Sequence, residues 1–230
     1  AADVFRLGSR ELEELLGPSS RHKGEITWKA VEEASGELAR LESRGIGFTG
    51  WTEEEYPSLL HECEDAPVGL YVRSRTPMDE LWKPCRRIAV VGTRDITPYG
   101  REWCVRTVAG LSRSKEKPVI VSGLALGTDF CAHKAALESG LATIGVMATG
   151  PETVYPHRHR EFAERLCETP GCALVTDYPP GTAPLAIHFL RRNRIIAGLS
   201  DSTILIESKI KGGGMMTCRL AFSYSRDVYA

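Results

Sequence analysis

No two cysteines stand at C-x-x-C spacing, although the 230 residues include seven: Cys63, Cys85, Cys104, Cys131, Cys167, Cys172 and Cys218. Such an odd, scattered set gives no sign of a zinc ribbon or a disulfide framework, and reads as buried or half-buried free thiols in a reducing compartment. Also missing is any apolar run of the roughly 18 residues that span a bilayer, and the first residues lack a basic, apolar, small-residue signal pattern. A cytoplasmic chain with no membrane contact is expected, and the start at Ala1 rather than methionine gives the expectation of an excised fragment. Net charge is nearly absent, at a formal -1. Affinity for nucleic acid would therefore have to come from local clustering of positive charge.

What is present is an ordinary globular composition, 42% hydrophobic and 26% charged, long enough for one or two domains. Residues 1–45 read as a small helical module: Arg10–Leu16 and Trp28–Leu41 have helical spacing, separated by turn signals at Gly17-Pro18-Ser19-Ser20 and closed by Gly45-Ile46-Gly47. Residues 46–87 form a lead-in segment, with a short helical run around Pro57–Cys63, a strand at Val68–Val72, and Thr76-Pro77 and Lys83-Pro84 closing it. From residue 88 the chain alternates strand and helix. Apolar runs at Ile88–Val91, Val119–Val121, Thr143–Met147, Ala173–Val175 and Thr203–Ile206 each end in a polar or glycine-rich loop, and Val228-Tyr229 begins a further strand. Continuous β-branched runs joined by helices predict an α/β fold, a Rossmann-like, doubly wound, mainly parallel sheet, over 88–230.

Ligands of such sheets bind beyond the carboxyl ends of the strands, so the loops there carry the functional reading. In Gly92-Thr-Arg-Asp-Ile-Thr-Pro-Tyr-Gly100, Thr97 can cap a helix whose first residue is Pro98, bringing a helix N-terminus and the Arg94 fork together. The loop has neither the G-x-G-x-x-G of an NAD site nor the Lys and Ser/Thr of a P-loop. Its chemistry alone leaves an anion site and a plain turn with a solvated arginine evenly balanced. Ser122-Gly-Leu-Ala-Leu-Gly-Thr-Asp129 permits close backbone approach. Ser122 lacks a G-x-S-x-G elbow and reads as a loop former, with Asp129 accepting backbone hydrogen bonds at the next helix start.

The strongest anion signal is Arg191-Arg192-Asn193-Arg194, flanked by apolar residues on both sides. A packed helix cannot keep four such residues in water, which predicts a helix that begins near them and presents the basic groups at its positive end. After the fifth strand of the repeat, Lys209-Ile-Lys211-Gly212-Gly213-Gly214 leads into a helix, and a backbone phosphate nest beside Lys211 is preferred to a flexible turn. His157 and His159 have no third metal ligand placed near them and read as solvated loop histidines. Arg158 and Arg160 could extend a basic rim, with Tyr155 and Phe162 available to stack on bases. Trp28, Trp51, Trp82 and Trp103 read as packing residues.

Taken together, the loops resemble the DprA (Smf) family of DNA-processing proteins from about residue 46 to the end. The likeness rests on Tyr56-Pro57, Ala66-Pro67-Val-Gly-Leu-Tyr71, Val91-Gly-Thr-Arg94 with Thr97-Pro-Tyr-Gly100, and Val121-Ser-Gly-Leu-Ala125. It continues through Gly127-Thr-Asp129, Ala132-His133, Tyr155-Pro156, Arg192-Asn-Arg-Ile-Ile-Ala-Gly-Leu-Ser200 and Gly213-Gly-Met-Met-Thr217. The resemblance implies a cytosolic, non-catalytic protein that binds single-stranded DNA, loads the RecA recombinase during natural transformation and forms a homodimer, with no cofactor or metal. It carries DNA contact onto Arg94, Ser122, Gly123, Arg160, Arg192, Arg194, Lys211 and the Gly213 turn, with Asn193 bracing the loop. Three positions depart from the family pattern: Leu126 replaces an arginine, Leu190 a proline, and Gly212-Gly-Gly a hydroxyl-bearing turn. The family's usual C-terminal winged-helix-like extension has no counterpart in these residues.

Two other classes fit less of the chain. A Rossmann-like nucleotide phosphoribohydrolase needs P-G-G-x-G-T-x-x-E, and alignment on Thr217 puts Met216 where glycine is required and Leu220 where the catalytic glutamate belongs. A mononucleotide-binding regulatory domain would use the same glycine loops without salt-sensitive binding to single strands.

Overall fold

The computed structural model describes residues 6–17, 20, 25–83 and 85–230. The turn signals at Pro18, Ser19 and Pro84 lie outside the described residues. The chain divides into two compact units, Ala1–Gly45 and Ile46–Ala230. The first holds helices α1 (Ser9–Leu16) and α2 (Trp28–Glu42). Thr27 opens α2 by accepting a hydrogen bond from the Ala30 N–H, a side-chain cap for an otherwise orphaned donor.

The second unit is built on one eight-stranded sheet. Its strands are β1 (Ile46–Gly50), β2 (Gly69–Arg73), β3 (Arg87–Val91), β4 (Val119–Ser122), β5 (Thr143–Val146), β6 (Ala173–Thr176), β7 (Ser202–Leu205) and β8 (Asp227–Tyr229). They lie in the order β1-β2-β6-β5-β4-β3-β7-β8. All pairs from β6 to β8 are parallel, whereas β1–β2 and β2–β6 are antiparallel. The mainly parallel, doubly wound Rossmann-like sheet expected from the apolar runs is the fold observed. Residues 46–87 add β1 and β2 to that sheet, together with the short helices α3 (Ser58–His61) and α4 (Met78–Leu81).

Alternation along the strands divides the core between the two faces. Ala89, Val91, Val121, Ile144 and Val146 pack with Tyr56, Leu60, Ile195, Ile196 and Leu199 on one side. Val90 and Ile120 pack on the other with Cys104 and Val108 of α5 (Pro98–Leu111) and Cys131 and Ala135 of α6 (Thr128–Glu138). Leu174 meets Ala163 and Leu166 of α7 (Arg160–Cys167). Helices α8 (Ala186–Gly198) and α9 (Gly213–Ser223) complete the unit and pack on each other. Strands apolar on both faces need helices on both, which the crossovers supply.

Two expectations are corrected. Helix α8 begins at Ala186, so Arg191–Arg194 lie in its second and third turns rather than at its positive end. The charged run is accommodated because each residue has its own surroundings: Arg191 is exposed, Arg192 and Asn193 are buried with polar partners, and Arg194 is ion-paired. Of the four tryptophans only Trp82 packs in the core, whereas Trp28, Trp51 and Trp103 are 42–47% exposed. Six of the seven cysteines are buried free thiols, with Cys85 exposed.

Candidate nucleic-acid interface

The strand order reverses between β3 and β7, which are themselves parallel, since β4 to β6 lie to one side of β3 and β7 and β8 to the other. Beyond the carboxyl ends of these two strands lies a cleft of about 620 Å³. This is the position at which doubly wound sheets bind ligands. Gly92–Asp95 form one wall and Ser208, Lys209 and Gly212–Gly214 the other, while Asp129, Arg192 and Asn193 reach the cleft from α6 and α8.

Several helix N-termini lie at or near the cleft, those of α6 and α8 among them. The two that flank it from the β3 and β7 loops, α5 and α9, differ. At α5, Thr97 accepts from the Gly100 N–H at 3.0 Å, and Pro98 follows at the first helical position, as the sequence predicts. However, the Glu207 carboxylate already accepts from the Thr97 N–H and hydroxyl, both at 3.0 Å. That helix end has its anion built in. At α9 the N-cap is Gly212, and no side chain caps it. A helix end without a cap offers backbone N–H groups and a positive dipole to an external anion. Gly213 is exposed there, and a Cβ added to it would meet only Asn193 Nδ2, at 3.9 Å.

Arg94 stands exposed on the opposite wall, its guanidinium carbon 5.0 Å from the centre of the Phe189 ring. Phe189 in turn meets Tyr155 edge-on at 5.4 Å, so an aromatic pair borders the cationic wall. Tyr155 is 47% exposed. Phe162, the other stacking candidate, packs instead against Phe130. Lys209 lines the cleft, whereas Lys211 is exposed outside it.

Beneath the cleft the polar groups serve the backbone. Arg192, 3% exposed, donates through Nη1 to the carbonyls of Gly123 and Val146, just past β4 and at the end of β5. Its Nε donates to Asn193 Oδ1 at 3.3 Å, and Asn193 Nδ2 reaches the Gly213 carbonyl at 3.4 Å, which braces α8 against the start of α9. Ser122 is buried at the end of β4 and donates to the Val90 carbonyl of β3 at 2.6 Å. Asp129 accepts from the Ala125 N–H at 3.4 Å, as expected; burial pushes its carboxyl above the usual range, against the pull of the Arg192 charge. Gly127, with φ of +74°, needs to be glycine because a Cβ there would lie 2.4 Å from the Thr93 carbonyl oxygen.

The structure thus brings Arg94, Arg192, Asn193 and Gly213 to one cleft. Ser122 and Gly123 lie buried behind it, and Arg194 is engaged with Asp177 and the Asp65 carbonyl. Arg160 is exposed at the start of α7 and does not line the cleft. The reading of His159 as a solvated loop residue is corrected: it is buried, stacks on Phe130 and bonds through Nδ1 to the Leu124 carbonyl at 2.9 Å. Sequence reasoning passed over Phe189 and the Glu207 cap. An aromatic residue three before Arg192 was the available signal for the first, but nothing in the sequence pairs Glu207 with Thr97. Among the described residues no cluster of His, Cys, Asp or Glu could hold a metal ion, and no helix is long and apolar enough to cross a membrane.

Fold and cleft define a Rossmann-like α/β protein with a polar crevice at its switch point. More narrowly, the chain belongs to the family of DNA recombination-mediator protein A, whose family model matches residues 47–230. It is 39% identical over 175 residues to the DNA processing protein DprA of Streptococcus pneumoniae, covering 76% of this chain and 59% of that protein. To protein Smf of Escherichia coli it is 37% identical over 177 residues, covering 77% of this chain and 46% of the relative. The chain therefore spans about half to three fifths of the length of these relatives. The X-ray structure of the S. pneumoniae DprA superposes with a TM-score of 0.77 at 32% identity, covering 96% of this chain and 74% of that one. DprA from Helicobacter pylori, whose structure describes a single-stranded DNA binding mode, gives 0.68 at 28% identity, covering 79% of each chain.

Proposed function

We propose that this chain is a non-catalytic, single-stranded-DNA-binding DNA-processing protein that holds the strand in the switch-point cleft. The uncapped N-terminus of α9 facing Arg94 carries the reading, because the neighbouring helix end is already filled by Glu207. Phosphates sit on the Gly213–Gly214 N–H groups and Arg94, while bases lie against Phe189 and Tyr155. The likeness to the H. pylori protein supports the same ligand. A non-catalytic role is supported by Leu220, which stands where the phosphoribohydrolase pattern needs its glutamate, and by the commitment of Asp129 to the Ala125 N–H. Delivery of the strand to RecA, a homodimer, and action in the cytoplasm complete the proposal.

Titration of labelled oligo-dT and a matched duplex at two salt concentrations tests it. Affinity for the single strand should exceed that for the duplex and fall steeply with salt, because phosphate contacts release counterions. Arg94→Ala should weaken binding roughly tenfold, about 1.4 kcal/mol, and about equally for all sequences. Gly213→Asp should weaken it further by placing a carboxylate on the phosphate seat, in a position with room for the side chain. Equal binding of duplex, or two folded variants that bind like the parent, would overturn the assignment.

A further inference from the structure

The outer face of α5 carries aromatic surface that neither the core nor the cleft uses. Tyr99 is 70% exposed and Trp103 42% exposed. They stand one helical turn apart, with ring centres 6.1 Å apart in an edge-on pair, and the Arg106 guanidinium lies 4.8 Å from the Trp103 ring. Positions i, i+4 and i+7 share one face of a helix, so the three side chains form a single stripe. Beside it runs a groove of about 530 Å³ lined by Ile96, Pro98, Arg101, Glu102, Val105 and Arg106. The groove and the cleft meet at one loop, where the consecutive residues Asp95 and Ile96 line the cleft and the groove respectively.

Charge identifies the occupant. Residues 98–118 hold five basic and two acidic side chains in a chain whose net charge is -1, and Glu102 is paired with Arg106 at 3.5 Å. Exposed rings flanked by guanidinium groups suit a polyanion that also carries flat π-surfaces. We infer that α5 forms a second segment of the single-stranded DNA path, where bases stack on Tyr99 and Trp103 after the strand leaves the cleft past Ile96. The inference rests on the cleft being the primary DNA site. Tyr99 and Trp103 are about 6 Å apart along the helix axis, so each ring receives its own base.

Length dependence separates the two segments. Oligo-dT of about six nucleotides fills the cleft alone and one of about twenty also reaches α5. Tyr99→Ala/Trp103→Ala should bind the short oligomer like the parent and the long one roughly tenfold more weakly. Trp103→Phe, which keeps a ring, should retain most of the advantage of length; thermal melting followed by circular dichroism confirms that each variant is folded. Arg94→Ala should weaken both lengths. If the double variant binds both lengths like the parent, the α5 segment is refuted while the cleft stands. A double variant that loses affinity equally for both lengths also refutes it, because the rings would then belong to the cleft. Unchanged binding of both lengths by Arg94→Ala would instead count against the cleft itself.

Discussion

Arg192 and Arg94 belong to the same cleft, yet their energetic roles are opposed. Arg94 is exposed and leans on a ring, so its removal leaves no buried group unsatisfied. Arg192 joins the Gly123 and Val146 carbonyls and holds Asn193. Its loss strands two buried acceptors and leaves the Asp129 carboxyl without the positive charge that acts on it most strongly. Arg192→Ala should therefore cost on the order of 3 kcal/mol in urea unfolding, with Arg94→Ala within about 0.5 kcal/mol of the parent. An equal small effect for both would show that Arg192 is not a structural brace. This distinction was not legible in the sequence. Four consecutive polar residues, three of them arginines, identify a cation-rich neighbourhood, but only the phase of α8 decides which of them turns inward.

At the scale of elements, the loop from Ser122 to Gly127 shows how a strand end is held. Leu124 has φ of +57°, a left-handed conformation unusual for a branched side chain. Its peptide groups are gripped from both sides: the N–H donates to His133 Nε2 at 3.4 Å, and the carbonyl accepts from His159 Nδ1. The Thr143 hydroxyl donates to the Ile120 carbonyl at 2.8 Å, so His133 Nδ1, 2.7 Å from it, carries the ring proton and Nε2 must remain an acceptor. Burial accordingly holds the His133 pKa down to about 3, against an ordinary value of 6.5. Between these values the unfolded chain binds the extra proton and the folded one does not. Stability from this group is complete above pH 6.5 and declines as pH falls toward 3, by up to about 1.4 kcal/mol per pH unit. The raised Asp129 carboxyl acts in the opposite sense, so the informative quantity is the difference between parent and His133→Asn across that range. The variant should show a flatter decline in chemical unfolding, and an unchanged slope would remove His133 from the account. Helix α5 was legible, cap and first-turn proline included, because the signals were local. The histidine grip was not, because it joins residues 9 and 35 positions apart in the chain.

For the whole molecule, the parallel strands announced themselves as continuous apolar runs. Strand β2 was legible as well, at Val68–Val72, but β1 was not, since Gly47 and Gly50 interrupt the pattern that would mark it. Their contribution is nonetheless large. Tyr56, Leu60, Leu70, Val72, Leu81 and Trp82 belong to the same core cluster as Val121 and Ile144, and β2 covers the edge of β6. We expect residues 46–230 to fold alone and melt cooperatively, while a chain beginning at residue 88 exposes that cluster and the bare β6 edge and aggregates. Calorimetry and light scattering on the two fragments decide this. A cooperative melt from the shorter one would show that residues 46–87 are dispensable to the core.

The contact between Glu207 and the β3 loop has a further meaning. Its carboxylate holds Thr97 while its own carbonyl accepts from the Thr93 N–H at 2.7 Å, and the Thr93 carbonyl accepts from Thr128 at 3.0 Å. The two walls of the cleft and the start of α6 are therefore fastened together before any ligand arrives. A receptor fixed in advance gives up little conformational entropy on association. The ordering cost then falls on the strand, and single strands whose bases are already unstacked should be the ones captured at least expense.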